Sequence, residues 1–398
     1  MIDYNSNLIT LDSTKIVPYE KDKIKRFKTE ELDFFLHDYE EQTKIKHNVL
    51  KAYLPVWATK LGAYNNLNYY DGFCGCGAYY STINKELYYG SPIIAKESFI
   101  KVKKDNISSL YLNDYDNENI ENLKSVFRFK KLNNNNIHCT NGDYEHEVNI
   151  FLDKLEKHPV PTFFFIDPYG INIKFDTIKR IMSLQKNEVF INFMYNFPRR
   201  FLKLENNRVN FNNFFGTTEW EDYRNFPDTI KERELIKLYK SQLKTCSKYV
   251  YHYRMSFSDK NETYYYLFHA SNHRDGCSIL KDSFASVNHG NVEFLGPNQP
   301  NPQQLMLINV DETKISELQS LIFQDYCGFS VKFNEILEKY IDSTPYLERH
   351  IKSAILNMNG EFLDIQHISS KTSVKPDDII QFYKKPIVKI KSTQLQLF

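Results

Sequence analysis

The chain has no excess of charge of either sign. Its 51 basic and 50 acidic residues nearly cancel over 398 positions, which excludes a global basic field for nucleic acid and leaves only local patches. It also lacks any apolar run long enough to span a membrane. Cysteine is scarce: Cys74, Cys76, Cys139, Cys246, Cys277 and Cys327 are scattered, without the paired C-x-x-C and His spacing of a zinc site. Cys74 and Cys76 form only C-x-C and read as small residues lining a turn, so no metal site is expected. Met1-Ile2-Asp3-Tyr4 carries no basic-then-apolar signal segment, and a reduced cytoplasm is the expected compartment. Aromatics, by contrast, are plentiful, with 28 Tyr and 30 Phe. The Asn, Lys and Ile bias is that of an AT-rich genome.

Glycine numbers only 13, yet three fall in Asp71-Gly72-Phe73-Cys74-Gly75-Cys76-Gly77, just after the strand pattern Leu67 to Tyr70. Gly75 and Gly77 accept φ > 0, so a strand entering this turn brings bare backbone close to an adenosyl or phosphate group. The spacing is not the dinucleotide G-x-G-x-x-G, and the stretch gains weight from the acidic strand ends downstream of it. Ser91-Pro92 reads as an N-cap and first helical residue, presenting helix N–H groups near the glycine turn. A strand over Ser109 to Asn113 ends at Asp114-Tyr115-Asp116, where Asp114, with Asp116 as runner-up, is placed to bind ribose hydroxyls; an Asp here could equally cap the following helix. Asn136 to Thr140 is a weak third strand leading to Asp143, which could reach an adenine amine or cap a helix. Thr162 to Ile166 is the strongest buried strand and stops at Asp167-Pro168-Tyr169-Gly170, the composition of a catalytic strand end.

A helix over Phe175 to Leu184 and a strand over Glu188 to Phe193 complete five alternations. These predict an α/β, doubly wound Rossmann-like sheet with its site at the carboxyl edge. Upstream, Gln42 to Leu61 is a helix with an apolar face of Ile45, Val49, Leu50, Tyr53, Leu54, Trp57 and Leu61; Lys44, Lys46 and His47 are assigned to a solvated opposite face. Residues 1–40 read as an N-terminal arm, residues 41–295 as the Rossmann-like domain with a helical insertion at about 196–245, and residues 303–398 as a small C-terminal module. Tyr249 to Phe257 and Glu262 to Ala270 flank the turn signal Ser258 to Asn261 as a terminal antiparallel hairpin, the topology of class I methyltransferases. Gly296 to Pro302 is the clearest linker. Beyond it come a strand at Leu305 to Val310, helices from Glu312, Val331 and Pro345, and a wing strand at Gly360 to Ile365. Together these suggest a winged-helix-like α+β unit, followed by a frayed tail from Lys384.

Thr43 to His47 through Trp57, Tyr70 to Gly77, Gly90-Ser91-Pro92, Asp167 to Gly170, Ile191 to Phe193 and Tyr265 to His273 together resemble the three-Cys-motif partner proteins over roughly residues 40–285. The resemblance implies a class I S-adenosylmethionine-dependent methyltransferase-like protein and, as partner, a three-Cys-motif protein. Cys74 and Cys76 replace the Ala and Pro of the family's usual D-G-F-A-G-P-G loop but keep both glycines. Asp167-Pro168-Tyr169 is also similar to the [D/N/S]-P-P-[Y/F/W] motif of nucleic-acid amino-methyltransferases, with one proline fewer.

These features favour an enzyme that moves a methyl group from S-adenosylmethionine to a nitrogen of a nucleic-acid base. Asp71, Gly72, Phe73, Gly75, Gly77, Asp114 and Asp143 form the cofactor set; Asp167, Pro168 and Tyr169 form the acceptor set, Asp167 holding the amine and Tyr169 stacking on the base. The alternative is a catalytically silent scaffold that binds a three-Cys-motif protein or nucleic acid in a defence or modification system. A hydrolase using Asp71, Asp114 and Asp167 as metal ligands is disfavoured, because the three sit at different strand ends with no His to support them. No membrane partner is expected.

Overall fold

In a computed structural model of the protein, residues 16–18, 24–29, 33–132, 135–256, 263–287, 292–293, 312–368 and 373–385 are described. The expected turn at Ser258 to Asn261, the linker at Gly296 to Pro302, the strand at Leu305 to Val310 and most of the C-terminal tail lie outside them. The chain divides into two units, Met1–Glu293 and Phe294–Phe398.

Among the described residues of the first unit, strands come first, within the stretch expected to be an arm: β1 (Ile16–Pro18), β2 (Ile24–Lys28) and β3 (Asp33–Asp38). Helix α1 (Glu41–Leu61) leads to β4 (Leu67–Asp71) and the glycine loop. The segment between that loop and the next helix is a hairpin of β5 (Ala78–Ser81) and β6 (Glu86–Tyr89), which joins the N-terminal strands in a five-stranded sheet of order β1-β2-β3-β5-β6. Alternation then runs through α2 (Ser91–Lys101), β7 (Ser108–Asp114), α3 (Asn117–Phe129), β8 (Ile137–Asn141), α4 (Tyr144–Leu155), β9 (Thr162–Ile166), α5 (Phe175–Ser183) and β10 (Glu188–Phe193). Three helices come next, α6 (Asn196–Phe201), α7 (Arg208–Phe215) and α8 (Asp228–Lys244). The unit closes with β11 (Tyr249–Ser256), β12 (Thr263–Ser271), α9 (Arg274–Val287) and β13 (Val292–Glu293).

The large sheet has the order β13-β11-β12-β10-β9-β4-β7-β8. Strands β8, β7, β4, β9 and β10 are parallel, and β12 runs antiparallel to both β10 and β11. This is the Rossmann-like class I methyltransferase sheet with its terminal antiparallel hairpin, as the alternation and the Tyr249-to-Ala270 pattern predict. The β9 side chains show how it is covered. Phe163 meets Tyr53 and Trp57 of α1, with ring centroids 5.3 and 5.9 Å apart, while Phe164 meets Phe151 of α4 at 5.9 Å. Alternate residues of a strand serve opposite faces, so the apolar run Phe163 to Ile166 of β9 needs helices on both sides.

The second unit holds α10 (Glu312–Tyr326), β14 (Ser330–Lys332), α11 (Phe333–Tyr340), α12 (Glu348–Met358), β15 (Leu363–Gln366) and β16 (Ile379–Phe382). Its antiparallel sheet has the order β14-β16-β15. Leu318, Phe333, Ile355 and Ile380 share one apolar core. Helix, strand, two helices and two strands follow in this order, an α+β unit as expected, but β14 occupies the start of the helix expected from Val331 and β16 is a strand that the sequence reading lacked.

The polar face of α1 departs from expectation. Lys46 and His47 are 8 % and 3 % exposed, so they do not lie on a solvated face. Helix α1 packs against both α2 and α9, and positions 46, 50, 53 and 57 recur at steps of four, three and four, which places Lys46 on the face that carries Leu50, Tyr53 and Trp57. An apolar stripe flanked by cations on the same side is a buried helix with a polar task at one end.

Candidate active site

Strand β4 ends in Asp71, whose fully buried carboxylate accepts hydrogen bonds from the Tyr69 hydroxyl (3.0 Å), the Ser91 hydroxyl (2.6 Å) and the Phe73 N–H (3.3 Å). Burial raises this carboxyl to about 7 despite the opposing pull of the two hydroxyls, and the charge of Asp167 adds to the rise. Ser91 is therefore not the N-cap of α2. Gly90 takes that place, and Ser91 is the first helical residue, its hydroxyl given to Asp71 because a buried carboxylate without donors is costly. The hairpin makes this possible by returning the chain to its start: the Gly90 N–H donates to the Gly77 carbonyl at 2.9 Å.

Two of the three loop glycines answer to packing. A Cβ at Gly72 would collide with the Tyr144 ring, and one at Gly77 with Leu123 of α3. Gly75 differs: its φ is +62°, and the nearest atom to a Cβ there is the Tyr79 hydroxyl at 3.6 Å. Gly75→Ala is accordingly expected to cost only about 1–2 kcal/mol of stability, the strain of a left-handed residue, while filling the open side of the loop. Thermal melts of Gly75→Ala and Gly77→Ala side by side check this, Gly77→Ala being the more damaging. Both loop thiols are buried, and burial raises them, Cys76 to about 11. The Cys76 thiol donates to the Ala78 carbonyl at 3.1 Å, so both cysteines behave as small lining residues. Among the described residues no group of three His, Cys, Asp or Glu side chains is arranged to hold a metal ion.

The acidic strand ends divide by task. Asp116 caps α3 by accepting the Glu118 N–H at 2.8 Å. Asp114, two positions earlier at the end of β7, is left to the loop, accepting from the Gly75 N–H (2.9 Å), the Asp116 N–H (2.9 Å) and the Asn119 amide (3.1 Å). Asp143 caps α4 through the His146 N–H at 3.2 Å. It also sits beside the same edge, because the Asn113 amide donates to the Gly142 carbonyl at 3.0 Å and Phe73 stacks on Tyr144 at 4.7 Å.

Asp167, at the end of β9, has both oxygens engaged. The Lys46 ammonium pairs with Oδ2, and the Asn192 amide, from the end of β10, donates to Oδ1. The Lys46 Nζ also lies 5.5 Å from the centroid of the buried Tyr265 ring. Next to it, burial pushes the His47 imidazole down, helped by Lys46 and Lys51; its ring lies 5.7 Å from Tyr39 and 5.4 Å from Tyr79. Pro168 is buried, whereas Tyr169 is 94 % exposed. Tyr64 and Tyr115 are exposed to a similar degree, 93 % and 83 %, so what distinguishes Tyr169 is its place after the ion-paired Asp167 and not its exposure.

The structure thus brings Asp71, Gly75, Asp114, Asp143 and Asp167 to one sheet edge, with Gly72 and Gly77 as packing contacts. Sequence reasoning missed Lys46, Asn192 and the Ser91 hydroxyl. The helical spacing of Lys46 carried its signal; Asn192, an isolated polar residue in the apolar run of β10, carried another.

No protein-family model matches the chain, and no curated protein sequence matches it. Among solved structures, a Legionella pneumophila str. Philadelphia 1 protein of the DUF519 family model is similar at 14 % identity, covering 63 % of this chain and 95 % of that one with a TM-score of 0.38. The M. jannaschii TYW2 structure in complex with AdoMet is similar at 10 % identity, covering 64 % and 88 %, with a TM-score of 0.32. A type I restriction-modification methyltransferase subunit from Streptococcus thermophilus is similar at 9 % identity, covering 59 % and 44 %, with a TM-score of 0.33. At such identities the likeness is one of fold and says nothing of substrate.

Proposed function

We propose that the first unit binds S-adenosylmethionine and transfers its methyl group to a nitrogen of a nucleic-acid base. The observation that carries this reading is Gly75, the one loop glycine at which a Cβ would meet nothing closer than the Tyr79 hydroxyl at 3.6 Å, with its N–H on Asp114. A small ligand that needs bare backbone and a neighbouring carboxylate fits there. Asp71, Gly72, Phe73, Gly75 and Gly77 would surround the methionine part, Asp114 the ribose and Asp143 the adenine. When bound, the group supplies an electrophilic methyl. The chain's own residues then have little acid–base work, and rate comes mainly from holding the acceptor amine in line.

Asp167 is the residue that would accept from that amine. Its two oxygens offer about four lone-pair sites, so partners at Lys46 and Asn192 still leave room for one more donor. Lys46 pairs with one oxygen of the group, and the Asn192 amide, donating to the other, fixes its plane. Tyr169 would stack on a base taken out of its helix, on top of the buried Pro168.

Titration calorimetry with S-adenosylhomocysteine tests the first part. Asp114→Ala is expected to weaken binding roughly 10- to 100-fold, the loss of about 1.5–3 kcal/mol of charge-assisted hydrogen bonding. A wild-type protein that gives no heat overturns the reading. Tritiated methyl transfer to DNA and RNA tests the second part.

One observation favours a second reading. A carboxylate already paired on both oxygens is also what a silent scaffold would keep for stability, and the resemblance to three-Cys-motif partner proteins supports a protein partner for such a scaffold, within a defence or modification system. Cofactor binding without methyl transfer to any nucleic acid, together with capture of a three-Cys-motif protein, would favour it.

A further inference from the structure

We propose that α6 and the residues that follow it, together with the neighbouring turn after β9, form a docking surface for single-stranded nucleic acid, with Tyr169 as the base platform and Arg200 and Lys203 as phosphate contacts. The inference rests on reading Asp167 to Tyr169 as the acceptor site. Strands β9 and β10 are parallel neighbours, paired Glu188 to Phe163 through Ile191 to Ile166, so the turn after one and the helix after the other emerge at the same edge. They also lie close together: Gly170 holds φ +113°, and a Cβ there would lie 3.5 Å from the Phe197 ring of α6.

Charge is concentrated where the chain as a whole has almost none. Residues 196–209 contain Arg199, Arg200, Lys203 and Arg208 against the single acid Glu205, a net +3 in a protein of net +1. Three of the acids near this stretch are paired elsewhere, although Asp228 also lies within electrostatic reach of Arg199 and Lys203. Glu205 holds Arg224 at 2.6 Å, Glu221 holds Arg208 at 2.8 Å, and Asp228 holds Lys231 at 2.9 Å. Arg200 and Lys203 are exposed. Two exposed cations after β10 and an exposed ring after the neighbouring β9 suit the alternation of base and phosphate along one strand. A paired duplex, whose base faces are covered by stacking, cannot use Tyr169 without first releasing a base.

The test uses the full chain and fluorescence anisotropy with labelled oligo-dT, oligo-U and a duplex of equal length. Wild type is expected to bind a single strand, with the dT and U arms telling which sugar is preferred. Arg200→Ala/Lys203→Ala should weaken binding roughly tenfold at low salt and flatten the slope of log K against log salt by about 1.4, since each phosphate no longer neutralised on a single strand accounts for about 0.7. Tyr169→Ala should weaken binding roughly five- to 100-fold without changing that slope. The proposal is overturned if neither single strand binds at low salt, if the duplex binds as tightly, or if Arg200→Ala/Lys203→Ala leaves affinity and slope unchanged. It is also overturned if only Arg349→Ala/Lys352→Ala, on α12 of the second unit, weakens binding. Calorimetry with S-adenosylhomocysteine separates the two claims. Cofactor heat without strand binding overturns this surface alone; strand binding with the predicted variant effects but no cofactor heat supports the surface and overturns the methyltransferase reading.

Discussion

Lys46→Met is expected to lower the melting temperature by roughly 8 °C, and Asp167→Asn in the same chain to recover most of that loss. The single change keeps the bulk of the side chain but removes the cation, leaving the part-buried Asp167 carboxylate with the Asn192 amide alone. Breaking one side of a buried ion pair costs about 3 kcal/mol, chiefly the cost of the charge left behind, and at about 2–4 °C per kcal/mol this gives the stated shift. The stranded charge also faces Asp71, whose carboxyl is already raised in part by Asp167. In the double variant that charge is gone, so the two changes should be strongly non-additive. A thermal double-mutant cycle measures it. Equal melting temperatures for the single and double variants would show that Lys46 contributes packing and not charge compensation.

The second large effect is a dependence on pH that comes from Asp71. Its carboxyl stands near 7 in the folded protein against an ordinary value of 3.8. Below about pH 4 both folded and unfolded chains hold the proton, and the native advantage of the neutral group is present in full. As pH rises toward 7 the unfolded chain releases its proton while the native one keeps it, so stability falls by about 1.4 kcal/mol per pH unit. The accumulated loss is about 4 kcal/mol by pH 7, with little further change above. Asp71→Asn carries no such titration. The stability of wild type relative to Asp71→Asn should therefore decline across this window, as read from urea midpoints between about pH 4.5 and about pH 7.5. Parallel curves for the two proteins would mean that Asp71 is not held neutral. His37 gives a trend of the opposite sign, since burial lowers its imidazole, but it is common to both proteins and cancels in the difference.

Local chemistry by itself determined the order of elements in the first unit. The apolar run Phe163 to Ile166 of β9 had to be a central strand, because only cover on both faces hides four such residues in a row. The Asp residues at the ends of β4, β7 and β9 came from the same alternation, since parallel strands deliver their last residues to one edge. The terminal hairpin and the helix-rich second unit were legible for similar reasons of period.

Tertiary structure alone decided how those residues are used. Near-neighbour spacing does not say whether an Asp after a strand caps a helix or faces a site; the backbone partners of Asp114 and Asp116 do. Nor does it say that the chain between Gly77 and Gly90 folds back as a hairpin and delivers the Ser91 hydroxyl to Asp71. The pairing of Lys46 with Asp167 spans 121 positions. Helical periodicity assigns Lys46 a face, but what packs on that face depends on α1 being enclosed by α2 and α9, a long-range outcome of sheet order that no local pattern encodes.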